Sequence, residues 1–167
     1  MERENFEKPS LVPYLGRFSA AFLAAYAVVA MLFLPLQEML PEAQRIALDF
    51  FEPYRPVGIV TLLSQLLRAV VLALVLYPFY EEVIRSRRAP LRLFLALWGL
   101  GLVGSIQPMP GSFEGLLYTE TSLLEHAAVL AAGALQAGVA ILLFSPWQRR
   151  ADRLSRAGQI SGQTAEA

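Results

Sequence analysis

Apolar runs without a formal charge dominate the chain and are separated by short charged segments. They lie between Arg17 and Glu38, between Arg68 and Glu81, between Arg92 and Glu114, and between His126 and Arg149. A helix needs about 20 mostly apolar residues to cross a hydrocarbon core about 30 Å thick. The pattern predicts an all-α fold, a polytopic membrane protein whose four transmembrane helices form one bundle.

The four predicted spans cover about 18–36, 57–80, 93–106 and 123–147. They form a single membrane domain over residues 1–156. Pro78 is expected to bend or end the second span, because proline interrupts the hydrogen bonds of a helix. Small residues recur at helical spacing on the first and fourth spans, which predicts a face on each where another helix approaches closely. These residues are Gly16, Ala20, Ala24 and Ala27, and Ala127, Ala131, Ala134 and Gly138.

Two segments outside the spans have patterns of their own. Residues 41–51 place apolar side chains at helical spacing, which predicts a short helix in the outer interface with its apolar side toward the membrane. A surface helix that packs on its own bundle fits the same spacing. Residues 157–167 are small and polar, which predicts a disordered C-terminal tail.

The distribution of basic residues predicts the orientation. Of the 14 Lys and Arg residues, the N-terminal tail carries three, the loop after the second span four, and the C-terminal tail four. The segment from Ile106 to Trp147 carries none. Because basic loops are retained in the cytoplasm, both termini are expected there, in a plasma or inner membrane.

Composition limits the chemistry. The chain is 56% hydrophobic and 17% charged, whereas soluble domains are about 25% charged. It has no cysteine, which excludes disulfides, thiolate metal ligands and a thiol nucleophile. Its basic residues follow the predicted topology and do not gather on one soluble face, so nucleic-acid binding finds no support. The sequence has no Gly-rich phosphate loop, and no cofactor is predicted.

Arg68 is the most unusual residue, because it lies deep inside the second span. A midplane arginine costs at least about 2.5 kcal/mol in a bilayer and normally finds a partner or a wet cavity. Ser64 and Gln65 precede it by four and three residues and share its helix face. An anion-attracting or gating group explains this polar stripe. An arginine tied to a carboxylate or to free helix-end carbonyls, for structural reasons alone, explains it equally well.

The third span is short, since Leu93 to Ile106 gives about 21 Å of helix. The following segment, 107–115, contains two prolines and two glycines, which do not continue a helix, and unpaired backbone cannot face lipid. We therefore expect this loop to dip below the outer surface, as interrupted spans do at membrane binding sites. A tilted helix or a thinned bilayer with an ordinary outer turn is the alternative.

Acidic residues and the single histidine follow in and after this loop: Glu114, Glu120, Glu125 and His126, with Tyr118 between them. Carboxylates and an imidazole can ligate a divalent cation, but the spacing matches no recognised ligand pattern, and no metal site is predicted. Ser122 and Glu125 have the spacing of a capping box at the start of the fourth helix, which gives this carboxylate a structural explanation.

These features combine into one hypothesis, an outward-open polar pocket between spans two, three and four. Its candidate residues are Arg68, Gln65, Ser64, Glu114, Tyr118, Glu125, His126 and Gln136. Arg68 and Gln136 lie at comparable depth and would form the floor, and Glu114, Tyr118 and the start of the fourth helix would form the rim. In a competing arrangement, Arg68 faces an acidic residue of a partner protein.

Three classes of function remain open. The pocket predicts a protein that binds or passes a small solute or ion, and because four spans are few for a transporter, a homo-oligomer is expected. The small-residue faces fit a structural or accessory subunit of a larger membrane complex. The Glu, His and Tyr group could serve acid–base chemistry in a membrane enzyme acting on a lipid-like substrate, but no nucleophile–base spacing supports this class. The sequence names no substrate.

Overall fold

Helices make up almost all of the described chain. The computed structural model describes residues 8–38, 59–86, 88–103, 111–118 and 122–165. The helices are α1 (Leu11–Glu38), α2 (Ile59–Leu76), α3 (Ala89–Val103), α4 (Phe113–Tyr118) and α5 (Leu123–Ala165). A 3-10 turn (Tyr77–Phe79) and a π turn (Glu81–Arg85) follow α2. The interfacial helix predicted for 41–51 lies outside the described residues, as do positions 107–110 of the predicted dipping loop.

Three helices are long and apolar enough to cross a membrane, over Leu11–Phe33, Ile59–Phe79 and Leu123–Ser155. The apolar part of α3, Ala89–Leu102, is shorter. Within the described ranges the chain is helical and has no strand. The all-α class and the presence of membrane-type helices are thus confirmed. The fourth crossing, the orientation and the single bundle stay predictions.

Apolar side chains cover much of the outer surface of α2. Its buried residues are Ala69, Ala73 and Leu76. On its other faces, Leu63 and Leu67 are 59% and 66% exposed. Soluble monomers rarely expose continuous apolar surface of this kind, because water solvates it poorly. The outer face of α2 therefore suits a hydrocarbon environment.

α1 packs against both α2 and α5. Its buried apolar side chains form one stripe, made of Tyr14, Phe18, Ala21, Phe22, Ala25 and Val29. The small-residue faces predicted from the sequence lie elsewhere, since Ala20 and Ala24 of α1 and Ala127 and Ala131 of α5 are exposed. Whether another helix approaches those faces stays a prediction. Within the described chain, α1 turns aromatic side chains and other alanines toward its neighbours, and each aromatic side chain buries more apolar area than an alanine does.

An aromatic cluster joins α1, α2 and α5 at one end of the molecule, which we call the Gln148 end. Tyr14 and Phe18 of α1 contact Phe144 of α5 edge-to-face, with ring centroids 5.9 and 5.2 Å apart. Tyr80, which follows α2, meets Tyr14 at 5.6 Å in the same geometry. Such pairs contribute about 0.5–1.5 kcal/mol each beyond the buried area. The contacts bring the start of α1, the end of α2 and the C-terminal half of α5 together.

α2 ends next to Pro78, as the sequence predicted. The helix stops at Leu76, because the proline nitrogen has no hydrogen to donate, and the 3-10 and π turns lead on toward α3. Arg92 donates from Nη1 to the Glu82 carbonyl, 2.9 Å away, which fastens α3 to the π turn. α3 then packs on α5, and in the described chain α2 and α3 share no extended contact. A cleft is left between α2 and α3.

α5 runs for 43 residues and continues well beyond the predicted end of the fourth span. Pro146 lies inside it without ending it. The last turns cover residues 157–165, where the composition predicted a disordered tail. Helix in this segment is a feature that its composition did not indicate.

Candidate functional site

A cavity of about 540 Å³ lies in the cleft between α2, α3 and α5. Arg68 lines it from α2, Trp98 and Gly101 from α3, and Gln136 from α5, while Phe22 of α1 also borders it. The volume is within the range of small-molecule pockets, about 300–1,000 Å³. The two residues proposed from the sequence as a pocket floor, Arg68 and Gln136, thus line one cavity.

Arg68 lies near the middle of α2, about 13 Å along the axis from Ile59. Ala69 and Ala73 are the buried residues on the α1 side. At 3.6 residues per turn, Arg68 lies about 100° to one side of Ala69, on the flank that borders the cleft. The side chain is exposed, and within the described residues it has no hydrogen-bond or ion-pair partner. The guanidinium is therefore a cation at the cavity wall that no described acceptor neutralises.

Two glutamine side chains in the same region are incompletely hydrogen-bonded. Nε2 of Gln136 is buried and has no partner among the described residues, and the side chain lines the cavity. Oε1 of Gln65, one turn before Arg68 on α2, is also buried and has no partner among the described residues. A buried polar group left unsatisfied costs about 1–3 kcal/mol. The side chain of Gln136 thus forms part of the cavity wall, while its donor atom is closed off from the open space.

Two other residues of the predicted pocket, Ser64 and Glu114, are not among the residues that line the cavity. Ser64 is exposed, and its hydroxyl donates to the Thr61 carbonyl of its own helix at 2.8 Å. Glu114 is exposed on α4. Tyr118 ends α4, and its side chain lies outside the described part of the chain. The structure does not bring Ser64 or Glu114 to the surface that Arg68 and Gln136 share.

The start of α5 confirms the predicted capping box. The Ser122 amide donates to Oε2 of Glu125 at 2.8 Å, and the Glu125 amide donates to the Ser122 hydroxyl at 3.3 Å. Glu125 is buried, and its carboxylate lies at the positive end of the helix dipole. These bonds give the carboxylate a structural role at the helix start.

The turn at Gly111 is fastened to the first turns of α5. Its amide donates to Nδ1 of the buried His126 at 3.0 Å. Gly111 has φ +81°, and a Cβ there would lie 2.5 Å from Cγ1 of Val129, so this approach requires glycine. Gly111 and Ser112 both border the cavity, opposite the Gln148 end. His126 thus holds this turn in place and is not itself among the residues that line the cavity. Whether the turn dips into a membrane stays a prediction.

Trp98 forms the α3 side of the cavity. Its indole Nε1 donates to the Leu130 carbonyl at 3.2 Å, which ties α3 to α5. The ring stacks on Phe94, with centroids 5.8 Å apart. Since the indole N–H is engaged by Leu130, the ring offers the cavity mainly apolar surface. Trp98 is one of two tryptophans in the chain, so its fluorescence can report on the cavity.

A second polar cluster, at the Gln148 end, was not predicted from the sequence. Gln148 is fully buried; its Oε1 accepts from Nε of Arg17 at 2.7 Å, and its Nε2 donates to the Tyr80 hydroxyl at 2.7 Å. Nε2 also donates to Oδ1 of Asp152 at 2.9 Å, and the Tyr80 hydroxyl donates to Oδ2 of Asp152 at 2.8 Å. The network is charge-assisted at both ends and holds α1, α5 and the chain after α2 together.

The sequence indicated only one part of this network, the pair within α5. Gln148 and Asp152 are four residues apart on one helix, so they share a face. Their partners Arg17 and Tyr80 lie 131 and 68 residues away from Gln148 along the chain. Helical spacing does not indicate contacts at such separations.

The cavity therefore combines a cation, an amide side chain and mostly apolar walls, which is an arrangement suited to binding an anion. Within the described residues, no nucleophile and base are arranged beside Arg68. Comparison with known protein families, curated proteins and solved structures found no significant match for this chain.

Proposed function

We propose that this chain is a four-span membrane protein that binds a small anionic solute or ion in the cavity around Arg68. The observation that carries the proposal is the Arg68 guanidinium, which has no partner among the described residues and lines the cavity together with the side chain of Gln136. An arginine in the middle of an apolar span costs at least about 2.5 kcal/mol. A bound anion offsets this cost. Such a site would serve to bind the anion, either as the whole function or as one step in moving the anion across the membrane.

The directions of the helices support four crossings. The Arg17 to Gln148 hydrogen bond puts the start of α1 and the later part of α5 at one end, and Tyr80 puts the end of α2 there as well. α2 and α5 therefore run in the same direction, and the chain has to return between them. Residues 86–122 make this return and include α3, which we propose as the third crossing. The basic residues at the Gln148 end favour the cytoplasm for both termini.

Thermal unfolding of the purified protein in a nonionic detergent tests the binding proposal. Sodium chloride, phosphate, sulfate and acetate are compared at equal ionic strength. We expect at least one anion to raise the Tm of the wild type, because a ligand at 100 times its Kd stabilises by about 2.7 kcal/mol. Arg68→Gln removes that shift.

Arg88→Gln is the matched control, because Arg88 is exposed and lies outside the cavity lining. It should keep the full response to the anion. An anion-dependent shift of equal size in Arg68→Gln contradicts the proposal. Flux of the stabilising anion into proteoliposomes then separates passage from binding alone.

An accessory subunit is the second candidate function, and the exposed small residues favour it. Ala20 and Ala24 of α1 border a groove together with Leu143 and Trp147 of α5. Small side chains let the backbone of another membrane helix approach closely. Affinity purification in mild detergent separates the two candidates. Foreign subunits in stoichiometric amounts favour the accessory role, whereas a monomer or homo-oligomer favours the solute-binding role.

A further inference from the structure

We infer that the ligand of this cavity is an amphipathic anion taken from the bilayer, with a carboxylate or phosphate head group and an apolar tail. The inference rests on the proposed function, because it keeps Arg68 as the anion site and adds the class of the ligand.

The composition of the cavity wall is the first observation. Arg68, Ser112 and Gln136 supply its polar side chains, and the remaining described side chains around it are apolar apart from the engaged Trp98 N–H. A hydrated inorganic ion would leave those apolar walls facing water. An apolar tail covers them instead, at about 25 cal/mol per Å² of buried apolar surface.

The open side of the cavity is the second observation. α2 packs on α1, α3 packs on α5, and within the described chain α2 and α3 share no extended contact along the cavity. The Arg68 side chain is exposed in this gap. At the opposite end from Gln148, the turn of Gly111 and Ser112 borders the cavity. In the proposed topology the gap between α2 and α3 therefore faces hydrocarbon, which gives a membrane-dissolved ligand lateral access.

Charge and shape together select this class of ligand. A neutral lipid would fill the apolar part but leave Arg68 without a counter-charge. A soluble anion would pair with Arg68 but bury no apolar surface. An amphipathic anion meets both requirements, because its head accepts hydrogen bonds from Arg68 while its tail contacts the leucine-rich walls.

Quenching of Trp98 fluorescence tests this inference. Trp147→Phe leaves Trp98 as the single tryptophan, and Trp147 itself is 49% exposed and outside this cavity. The protein in phosphatidylcholine nanodiscs is titrated with stearate brominated at the middle of its chain. The neutral control is the alcohol with the same brominated chain. We expect the acid to reach half-maximal quenching at a several-fold lower membrane concentration than the alcohol.

Variants at Arg68 test whether its positive charge causes the preference for the acid over the alcohol. Arg68→Gln should make the acid and the alcohol quench equally, whereas Arg68→Lys, which keeps the charge, should retain part of the difference. Arg88→Gln should behave as the parent protein. Equal quenching by acid and alcohol in the parent, or a preference that persists in Arg68→Gln, overturns the inference.

The thermal-unfolding measurements with soluble anions distinguish a failure of this inference from a failure of the proposed function. If phosphate or acetate stabilises the protein through Arg68 while brominated stearate shows no preference over its alcohol, the proposed function stands and the ligand is a free solute. If neither the soluble anions nor the tailed anion depends on Arg68, both the ligand class and the proposed function are wrong.

Discussion

Two glutamines of α5, about three turns apart, have opposite surroundings. Gln148 is fully buried, and both atoms of its amide are hydrogen-bonded to Arg17, Tyr80 and Asp152. Gln136 lines the cavity, and its Nε2 has no partner among the described residues. The same residue type therefore has both polar atoms hydrogen-bonded at one position and a buried, unpaired donor at the other.

The same substitution at the two positions is expected to have different effects. Gln148→Leu should lower the free energy of unfolding by about 1–3 kcal/mol, because it leaves buried donors and acceptors unsatisfied. Gln136→Leu should be neutral or stabilising without ligand, since it removes a buried polar group that has no partner. Denaturant unfolding of both variants in detergent measures the difference. A larger loss for Gln136→Leu than for Gln148→Leu would contradict these assignments.

Gly111 is the residue at which the backbone itself is constrained. Gly111→Ala should destabilise the turn by about 1–2 kcal/mol from the left-handed conformation alone, and more because the Cβ would collide with Val129. Gly138→Ala is the control, since a Cβ there meets no atom within 4 Å and alanine favours helix. Thermal unfolding of both variants in detergent tests the pair, and equal Tm values would argue against the Gly111 geometry.

Local spacing explains which of these residues could be predicted. The Ser122 and Glu125 capping box was found from the sequence because both partners lie within one helical turn. Arg68 was found because a charge inside an apolar run is visible without a structure. The Gln148 network was missed because its long-range partners have no sequence relationship to it that spacing could reveal.

At the scale of elements, the cavity exists because α3 packs on α5 and, within the described residues, makes no extended contact with α2. The sequence predicted the spans from apolar length, but not which faces of them meet. The faces that meet inside the chain combine aromatic side chains with alanines outside the small-residue repeats. Shape complementarity between helices depends on all the side chains of a face, and one small-residue repeat does not determine it.

Filling the cavity from α3 should remove ligand binding without unfolding the protein. A Cβ at Gly101 would meet no atom within 4 Å, and this residue lines the cavity, so Gly101→Leu has room to occupy it. Gly99→Leu is the matched control, since Gly99 has the same open surroundings and is not a described lining residue. We expect Gly101→Leu to weaken quenching of Trp98 by brominated stearate several-fold, while Gly99→Leu changes it little. Equal effects would place the ligand elsewhere.

At the scale of the whole molecule, antiparallel packing of α1 and α5 implies an even number of crossings. Three long apolar helices alone would put the termini on opposite sides of a membrane. We propose that α3 makes a fourth crossing, because the Arg17 to Gln148 hydrogen bond joins the start of α1 to the later part of α5. A count of membrane spans by helix length leaves α3 out, because its apolar helix is shorter than the other three.

Single cysteines test this topology directly, because the natural chain has none. Ser10→Cys and Ser155→Cys, both at exposed positions, should be protected from a membrane-impermeant maleimide in intact cells. Ser122→Cys, also exposed, should react. Labelling of one terminal cysteine but not the other would indicate three crossings and would exclude both termini in the cytoplasm.

The unfolding free energy of Arg68→Leu in ligand-free lipid bilayers separates a binding arginine from a structural one. An arginine without a protein partner predicts a variant at least as stable as the wild type, because leucine removes the cost of a charge in the span. The same variant should lose all anion-dependent stabilisation. A loss of about 3–5 kcal/mol in the absence of ligand would show that Arg68 belongs to a buried ion pair that holds the helices together, and would contradict the proposed binding site.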